Sequence, residues 1–436
     1  MLVAALCFLG VPISLARPFF GLLFYCWLAY MRLQDFSWGF AREMQWSKFV
    51  AISMLIGILI HNKEKFIRFS FITMMLFFLW VSLSVSSIFS LDMDASLEKY
   101  PEFSKAIFIA AVSISLVNSE ERIKWLMVSF GLALGIQSIR YAIGGFLIGG
   151  KIYNGPGGTI EDNNDFALSL VMTIPVLYYL GALEKRLWLR LSYWGMCCTC
   201  MVTILWTHSR GGLLGICAVL FLVSCTWRNK IYTILFWFFS VIVFFAIAPQ
   251  SLLDRYATIE TAHEKDASAV GRLHAWRTAY NMGMSHPLTG VGPRVMPKVY
   301  WDYAPQSNTS IGGAARVAHN GYAQIFADSG FPGFICFVTL IIYVQTKTFF
   351  IRLKARKRKE IEWSIPYTYM LQYSVFGYMV CVTFLSREYF EYFYQIVAAA
   401  QSLNLLTQQQ MDKRDKEIED ELLQKRKAMI ASRKIS

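Results

Sequence analysis

Apolar residues along this chain do not alternate with polar ones; they come in long blocks separated by short polar connections. The clearest blocks are Phe71–Ser90, Trp125–Gly149, Phe166–Leu183, Ile231–Ala248 and Phe331–Phe350. A membrane span needs about 20 predominantly apolar residues, and in hydrocarbon the backbone must satisfy its polar groups within its own segment. Blocks of this length predict transmembrane helices, about 12 over the chain once the shorter blocks are added. The expected fold class is therefore all-α, a polytopic membrane protein. Its expected organisation is one transmembrane domain over residues 1–410, an external loop at 250–318 that carries helices, and a charged tail at 411–436. The start of the chain runs from Leu2 to Ala16, through Arg17-Pro18, then from Phe19 to Met31. It lacks the charged region and small-residue cleavage site of a signal peptide, and is read as a kinked pair of short helices in the mature protein.

Composition agrees with this pattern. Apolar residues make up 56% and charged residues 16%, against about 45–50% and 25% in soluble domains. A net charge of +13 would suggest a nucleic-acid partner in a soluble protein. Here the cations sit in short connections and in the tail, where they set orientation, and no base-recognition motif accompanies them. Nucleic acid is set aside as a partner. Nine cysteines lie mostly inside apolar blocks; even Cys197-Cys198-x-Cys200 has no histidine beside it and reads as packing.

Orientation follows from the basic connections. Arg352 to Lys359 is the strongest, joined by Lys63/Lys65/Arg68, Arg122/Lys124, Lys185/Arg186/Arg190 and Arg228/Lys230. These are assigned to the cytoplasmic side. The less basic connections Leu91–Lys105, Gly150–Asp165, His208–Gly212 and Gln250–Ala318 then fall outside, span after span.

The chemistry is expected on that outer side. The loop Gln250–Ala318 is about 70 residues long, and a loop of that length is usually functional or disordered. Within it Asp266 or Ser268 is a helix-start signal, and the helix is expected to run to about Met282 and stop at Gly283. Arg272 and Trp276 lie at i and i+4 on it, hence on one face. The segment Ser285 to Pro293 is turn chemistry, and Asn320–Ser329 is a short helix before a break at Gly330-Phe331-Pro332-Gly333. His319 then stands at a helix start, where the dipole disfavours the imidazolium and keeps a neutral base available. Thr207-His208-Ser209-Arg210-Gly211-Gly212 is a tight external turn with Arg210 at the membrane boundary. Arg140 falls inside an apolar block, a costly place for a cation, and Glu161-Asp162-Asn163-Asn164-Asp165 offers acceptors that pair with it or bind sugar hydroxyls. Asp92-Met93-Asp94 is a short motif of the kind that holds a divalent metal, but three positions specify little; no metal site is assigned.

Several of these residues together resemble the O-antigen ligase and polymerase superfamily of bacterial envelope glycosyltransferases. The likeness rests on Ser209-Arg210-Gly211, Gly271-Arg272-x-x-x-Trp276, His286-Pro287-Leu288-x-Gly290-Val291-Gly292, and His319-Asn320 followed by Gly330-Phe331-x-Gly333. It covers roughly residues 155–350. The first third, with Arg17-Pro18 and Trp38-Gly39-Phe40, is similar to the branch called exosortase-associated O-glycosylation ligases.

The resemblance implies transfer of a glycan from undecaprenyl diphosphate to an acceptor, lipid A–core for an O-antigen ligase, at the periplasmic face of a Gram-negative inner membrane. The implied fold is the helical membrane type of lipid-linked sugar transferases (GT-C-like), and the implied reaction is inverting and needs neither metal nor cofactor. In that setting Arg210 and Arg272 are expected on the diphosphate, because a guanidinium fork binds phosphate oxygens in pairs, and His319 is the expected general base. Arg140, Asn163, Asn164, His208, Ser209, Trp276 and Asn320 are further candidates for substrate contact. A polymerase or a protein O-oligosaccharyltransferase would use the same donor, so the acceptor stays open. A flippase or transporter is disfavoured, since no internal repeat is evident and the polar candidates gather outside.

Overall fold

The computed structural model describes residues 2–37, 39–61, 66–147, 149–247, 267–305 and 315–433. Trp38, Lys63, Lys65 and Asp266 lie outside the described residues.

The apolar blocks are helices. The first two are α1 (Leu2–Ala16) and α2 (Pro18–Cys26), split by Arg17 and a proline whose missing N–H costs nothing at a helix start. A π-helical turn, Trp27–Met31, prolongs α2 and stops at Arg32 in a left-handed conformation. Both pack on α3 (Trp46–His61), where Gly57 lets the Leu15 carbonyl approach closely. After α4 (Phe71–Ile88), α5 (Met93–Leu116) and α6 (Glu120–Leu147) comes a β-hairpin, β1 (Asn154–Gly157) with β2 (Ile160–Asp162), antiparallel. It is an exception to the all-α expectation. Next are α7 (Asn163–Leu183), α8 (Leu187–Trp206), α9 (Arg210–Cys225) and α10 (Lys230–Ile247). The loop contributes α11 (Ala267–Ser285), and the chain ends with α12 (Gly321–Ala355), α13 (Ile365–Val382) and α14 (Glu391–Arg433). The central helix is α7, which packs on α6, α8, α9 and α13.

Four described helices, α4, α6, α7 and α12, are long and apolar enough to cross a membrane; α1, α2 with its π turn, α3 and α9 are apolar but shorter. The basic connections and the less basic ones separate to opposite ends of the array. At the basic end Arg68 meets Ser115, Glu184 feels the charge of Lys124, and Tyr367 that of Glu120. The other end gathers the hairpin, the Thr207–Arg210 turn, α11 and the connection between α13 and α14.

Two expectations are corrected. The charged stretch 93–105 is not a connection; it is the first half of α5, capped by Asp92, whose carboxylate accepts from the Ala95 N–H at 2.9 Å. Gly283 does not end α11, which runs on to Ser285; the glycine instead leaves room for the Phe326 ring. The described part of the charged tail, to Arg433, continues α14, a single helix of 43 residues.

Candidate active site

The reversal after α11 and the break in α12 are one device. Gly330 sits at φ 62° and ψ −159°, a conformation closed to other residues, and its Cα faces the Pro287 carbonyl. Gly290, at φ 66°, faces the Asp328 backbone in return. Phe331 N–H donates to Pro287 O at 2.8 Å and Val291 N–H to Ala327 O at 2.8 Å. The motif His286 to Gly292 thus splints a kinked helix, and the splint fixes the start of α12.

At that start Asn320 caps the helix, its side chain accepting from Tyr322 N–H at 3.0 Å and Ala323 N–H at 3.1 Å. A substrate role for Asn320 would compete with this cap. His319, just outside the helix, is half-buried with a φ of 48°. Burial, and then the charges of Arg272 and Arg316, hold its imidazole below the usual histidine range, against a smaller pull from Asp162. So α11, the segment leading to α12, and the hairpin converge on His319. Gly271, in the motif with Arg272 and Trp276, leaves space for Arg316: a Cβ there would lie 2.7 Å from its Nη1. Trp276 is half-buried, and its indole N–H has no acceptor among the described residues.

Arg210 opens α9, where Ser209 is the N-cap and accepts from Gly212 N–H at 3.1 Å. A cation in the first turn opposes the helix dipole, so helix stability is not what selects it. His208 takes a φ of 52° and reaches Gly150 O at 3.2 Å through Nε2. Asn163 Nδ2 donates to Thr207 O at 2.8 Å, tying the start of α7 to this turn, while Asn164 bonds Asp162 at 3.0 Å. Arg140 is placed otherwise than expected. It stacks over Phe36 at 5.0 Å and Tyr141 at 5.7 Å, not against a carboxylate of the 161–165 segment.

The sequence reading missed the residues that join these parts. Arg387, between α13 and α14, grips Asp165 of α7 with two guanidinium nitrogens. Beside it Ser386 reaches Gln324 Oε1 at 3.3 Å; that oxygen also accepts from Ala318 N–H at 3.0 Å, next to His319. Gln324 donates to Asp328, whose other carboxylate oxygen accepts from the Tyr389 hydroxyl at 2.8 Å. Gly211 packs on Phe384, so the Arg210 turn rests on the same connection. A polar cavity of about 420 Å³ opens here, reaching from Val317 to Lys99, Arg294 and Arg387. The signal for all this was present as Ser386-Arg387-Glu388, three polar residues between two apolar blocks.

Backbone strain marks the same end. Among the described residues the non-glycine positions with positive φ are Arg32, His208, Arg294 and His319. Each such conformation costs on the order of 1–3 kcal/mol, and such residues cluster at functional sites. All four stand at this end of the molecule.

Asp92 is fully engaged without an ion: besides its cap it pairs with Lys298 at 2.5 Å, and this bond, then the Ala95 N–H, holds its carboxyl below the usual range. With the Arg294–Glu98 pair at 2.5 Å it pins the loop to α5.

These features define a predominantly helical membrane protein with a cation-rich polar site at one end of its helices. Residues 195–338 match the family model described as O-antigen ligase, a match that supports placing this segment in that superfamily. Residues 1–182 match a family of unknown function. No curated protein matches the chain.

Proposed function

We propose that this protein is an O-antigen ligase: it transfers a glycan from undecaprenyl diphosphate to lipid A–core at the periplasmic face of a Gram-negative inner membrane, with the tail in the cytoplasm. The observation that carries this reading is His319, an imidazole kept neutral beside Arg272 and Arg316. A base next to guanidinium groups is what attack on a diphosphate-activated sugar needs.

The acceptor hydroxyl attacks the anomeric carbon from the face opposite the diphosphate, so the configuration inverts. The bond from that carbon to the phosphate oxygen breaks, and the acceptor proton passes to His319. Arg272 and Arg210 hold the diphosphate, and their attraction grows as charge builds on the leaving oxygen. The guanidinium groups take the place a divalent metal fills elsewhere. Asn163, His208 and Ser209 hold the turn that presents Arg210. Trp276 offers a ring face and an N–H to the sugar.

The test is a purified reaction with undecaprenyl-diphosphate glycan and, separately, lipid A–core, a glycan repeat and a pilin-like protein. Lipid A–core should gain mass, with EDTA present as well as without. A gain on the glycan repeat or on the protein instead would make this a polymerase or a protein O-oligosaccharyltransferase. No gain on any acceptor overturns the reading.

A further inference from the structure

A second polar cavity, about 240 Å³, lies on the other side of Arg387 from the first. Arg387 and Glu102 line both cavities. Its remaining walls come almost wholly from the first 182 residues, the part that matches a family of unknown function: Tyr25, Arg32, Gln34 and Lys105 among them, facing Glu391 of α14.

Three features set this cavity apart from a packing gap. The Tyr25 residue is 1% exposed and its hydroxyl lies beside the Glu391 carboxylate without a well-aligned hydrogen bond among the described residues, and the Gln34 Oε1 atom has no donor there. Buried polar groups are nearly always satisfied, so two of them facing one cavity call for an occupant. Glu391, also 1% exposed, has Lys105 as its ion-pair partner at 3.0 Å, but neither carboxylate oxygen meets a donor in hydrogen-bonding geometry. Finally, Arg32 is held in place deliberately. Its backbone is left-handed, its Nε bonds Asp35 at 3.0 Å, and its guanidinium lies across Gly157 and Gly158 of the hairpin, which carry no side chain to displace it.

The lining fits a sugar. Arg32, Lys105 and Arg387 donate, Glu391 and Gln34 accept, and the Tyr25 hydroxyl does both, a mixture that matches the hydroxyls of a neutral ring. An anion would meet the Glu391 and Glu102 carboxylates, and an apolar group would leave every one of these atoms unbonded. The volume corresponds to about eight waters at ~30 Å³ each, which suits one monosaccharide and not a chain of them.

We propose that this pocket holds the sugar residue of the acceptor whose hydroxyl is glycosylated, an inference that rests on the glycosyltransferase reading above. The donor diphosphate occupies the neighbouring region of Arg272 and His319, and Arg387 stands between the two substrates. The first third of the chain thereby selects the acceptor, while the O-antigen ligase segment handles the donor.

The experiment is steady-state kinetics of the full-length protein in nanodiscs with undecaprenyl-diphosphate glycan and whichever acceptor the wild type glycosylates. Tyr25→Phe removes a hydroxyl whose polar contact among the described residues is the Glu391 carboxylate beside it, so its melting temperature should stay near wild type. It should raise the acceptor KM roughly three- to tenfold, the worth of one hydrogen bond, and leave the donor KM unchanged. Thr159→Trp, at the hairpin tip lining the pocket, should raise the acceptor KM further by blocking entry. An acceptor KM unchanged in both variants overturns the proposal and leaves a pocket of ordered water. So does a change confined to the donor KM, or a melting temperature that falls with kcat. Wild-type protein that transfers nothing to any acceptor defeats the function reading itself, and this inference with it.

Discussion

Arg387 and Asp165, 222 positions apart in the chain, form a bidentate ion pair that joins the start of α7 to the α13–α14 connection. The carboxylate is almost wholly buried and the guanidinium largely so. Because Gln324, and through it the segment carrying His319, hangs on the same connection, this pair holds the His319 side of the site against the core of the helix array.

Removing one member of a buried pair leaves an uncompensated charge and costs about 3–5 kcal/mol. Arg387→Gln and Asp165→Asn should each lower the melting temperature of the purified protein clearly. The double variant should be more stable than the sum of the two losses allows. Additive losses in that double-mutant cycle would mean the pair is not coupled.

As the proposed base, His319 should give the reaction an acid limb. Its imidazole is depressed by burial and by Arg272 and Arg316, so activity should persist below the ordinary histidine value of about 6.5 and fall as pH drops through the lowered value. Bound diphosphate compensates both guanidinium charges, which strengthens the base. The acid limb of kcat should therefore lie at higher pH than that of kcat/KM. Arg316→Gln should move the kcat/KM limb upward; a limb that stays in place would remove Arg316 from the electrostatics of the base.

Arginine at positions 210 and 272 is expected to act through its fork. Arg210→Lys and Arg272→Lys keep the charge and lose the paired contact, so kcat should fall by roughly 10²-fold or more, as when a transition-state donor is lost. His319→Ala should abolish transfer while donor binding, read by retention of lipid-linked glycan on the purified protein, survives. Near-normal turnover in either lysine variant would assign the diphosphate to other cations, with Arg316 first among them.

How far the sequence alone reached follows from the range of the interactions. Helices set by apolar blocks depend on neighbours in the chain and were legible; the caps at Ser209 and Asn320 are as local, but those residues were read as substrate contacts. The break at Gly330 was legible too, because glycine and proline act locally. The partner of Asp165 was not: the choice between Arg140 and Arg387 depends on which helix ends meet, and nothing in a single sequence states that. Arg140 looked like the cation in need of a carboxylate because it sits in an apolar block. Phe36 and Tyr141 satisfy it instead through their ring faces, a pairing with no spacing rule when Phe36 is 104 positions away. The polar half of α5 was read as a connection because its charges outweighed its helical period.

The interlock of Gly330 with the 286–292 reversal makes the sharpest structural prediction. Gly330→Ala requires an L side chain at φ 62° and ψ −159° and drives a Cβ into the Pro287 carbonyl. Strain of the backbone alone is about 1–3 kcal/mol, and the clash adds to it. Gly290→Ala meets the Asp328 backbone in the same way. If the reversal only covers the helix, both variants lose stability and keep the pH profile of any remaining activity. If it aims the start of α12, as the Phe331–Pro287 and Val291–Ala327 bonds indicate, the residual activity should also lose the depressed acid limb, because His319 shifts relative to Arg272 and Arg316. The measurement is a kcat/KM pH profile on the folded fraction of Gly290→Ala, and an unchanged limb would reduce the splint to a role in stability.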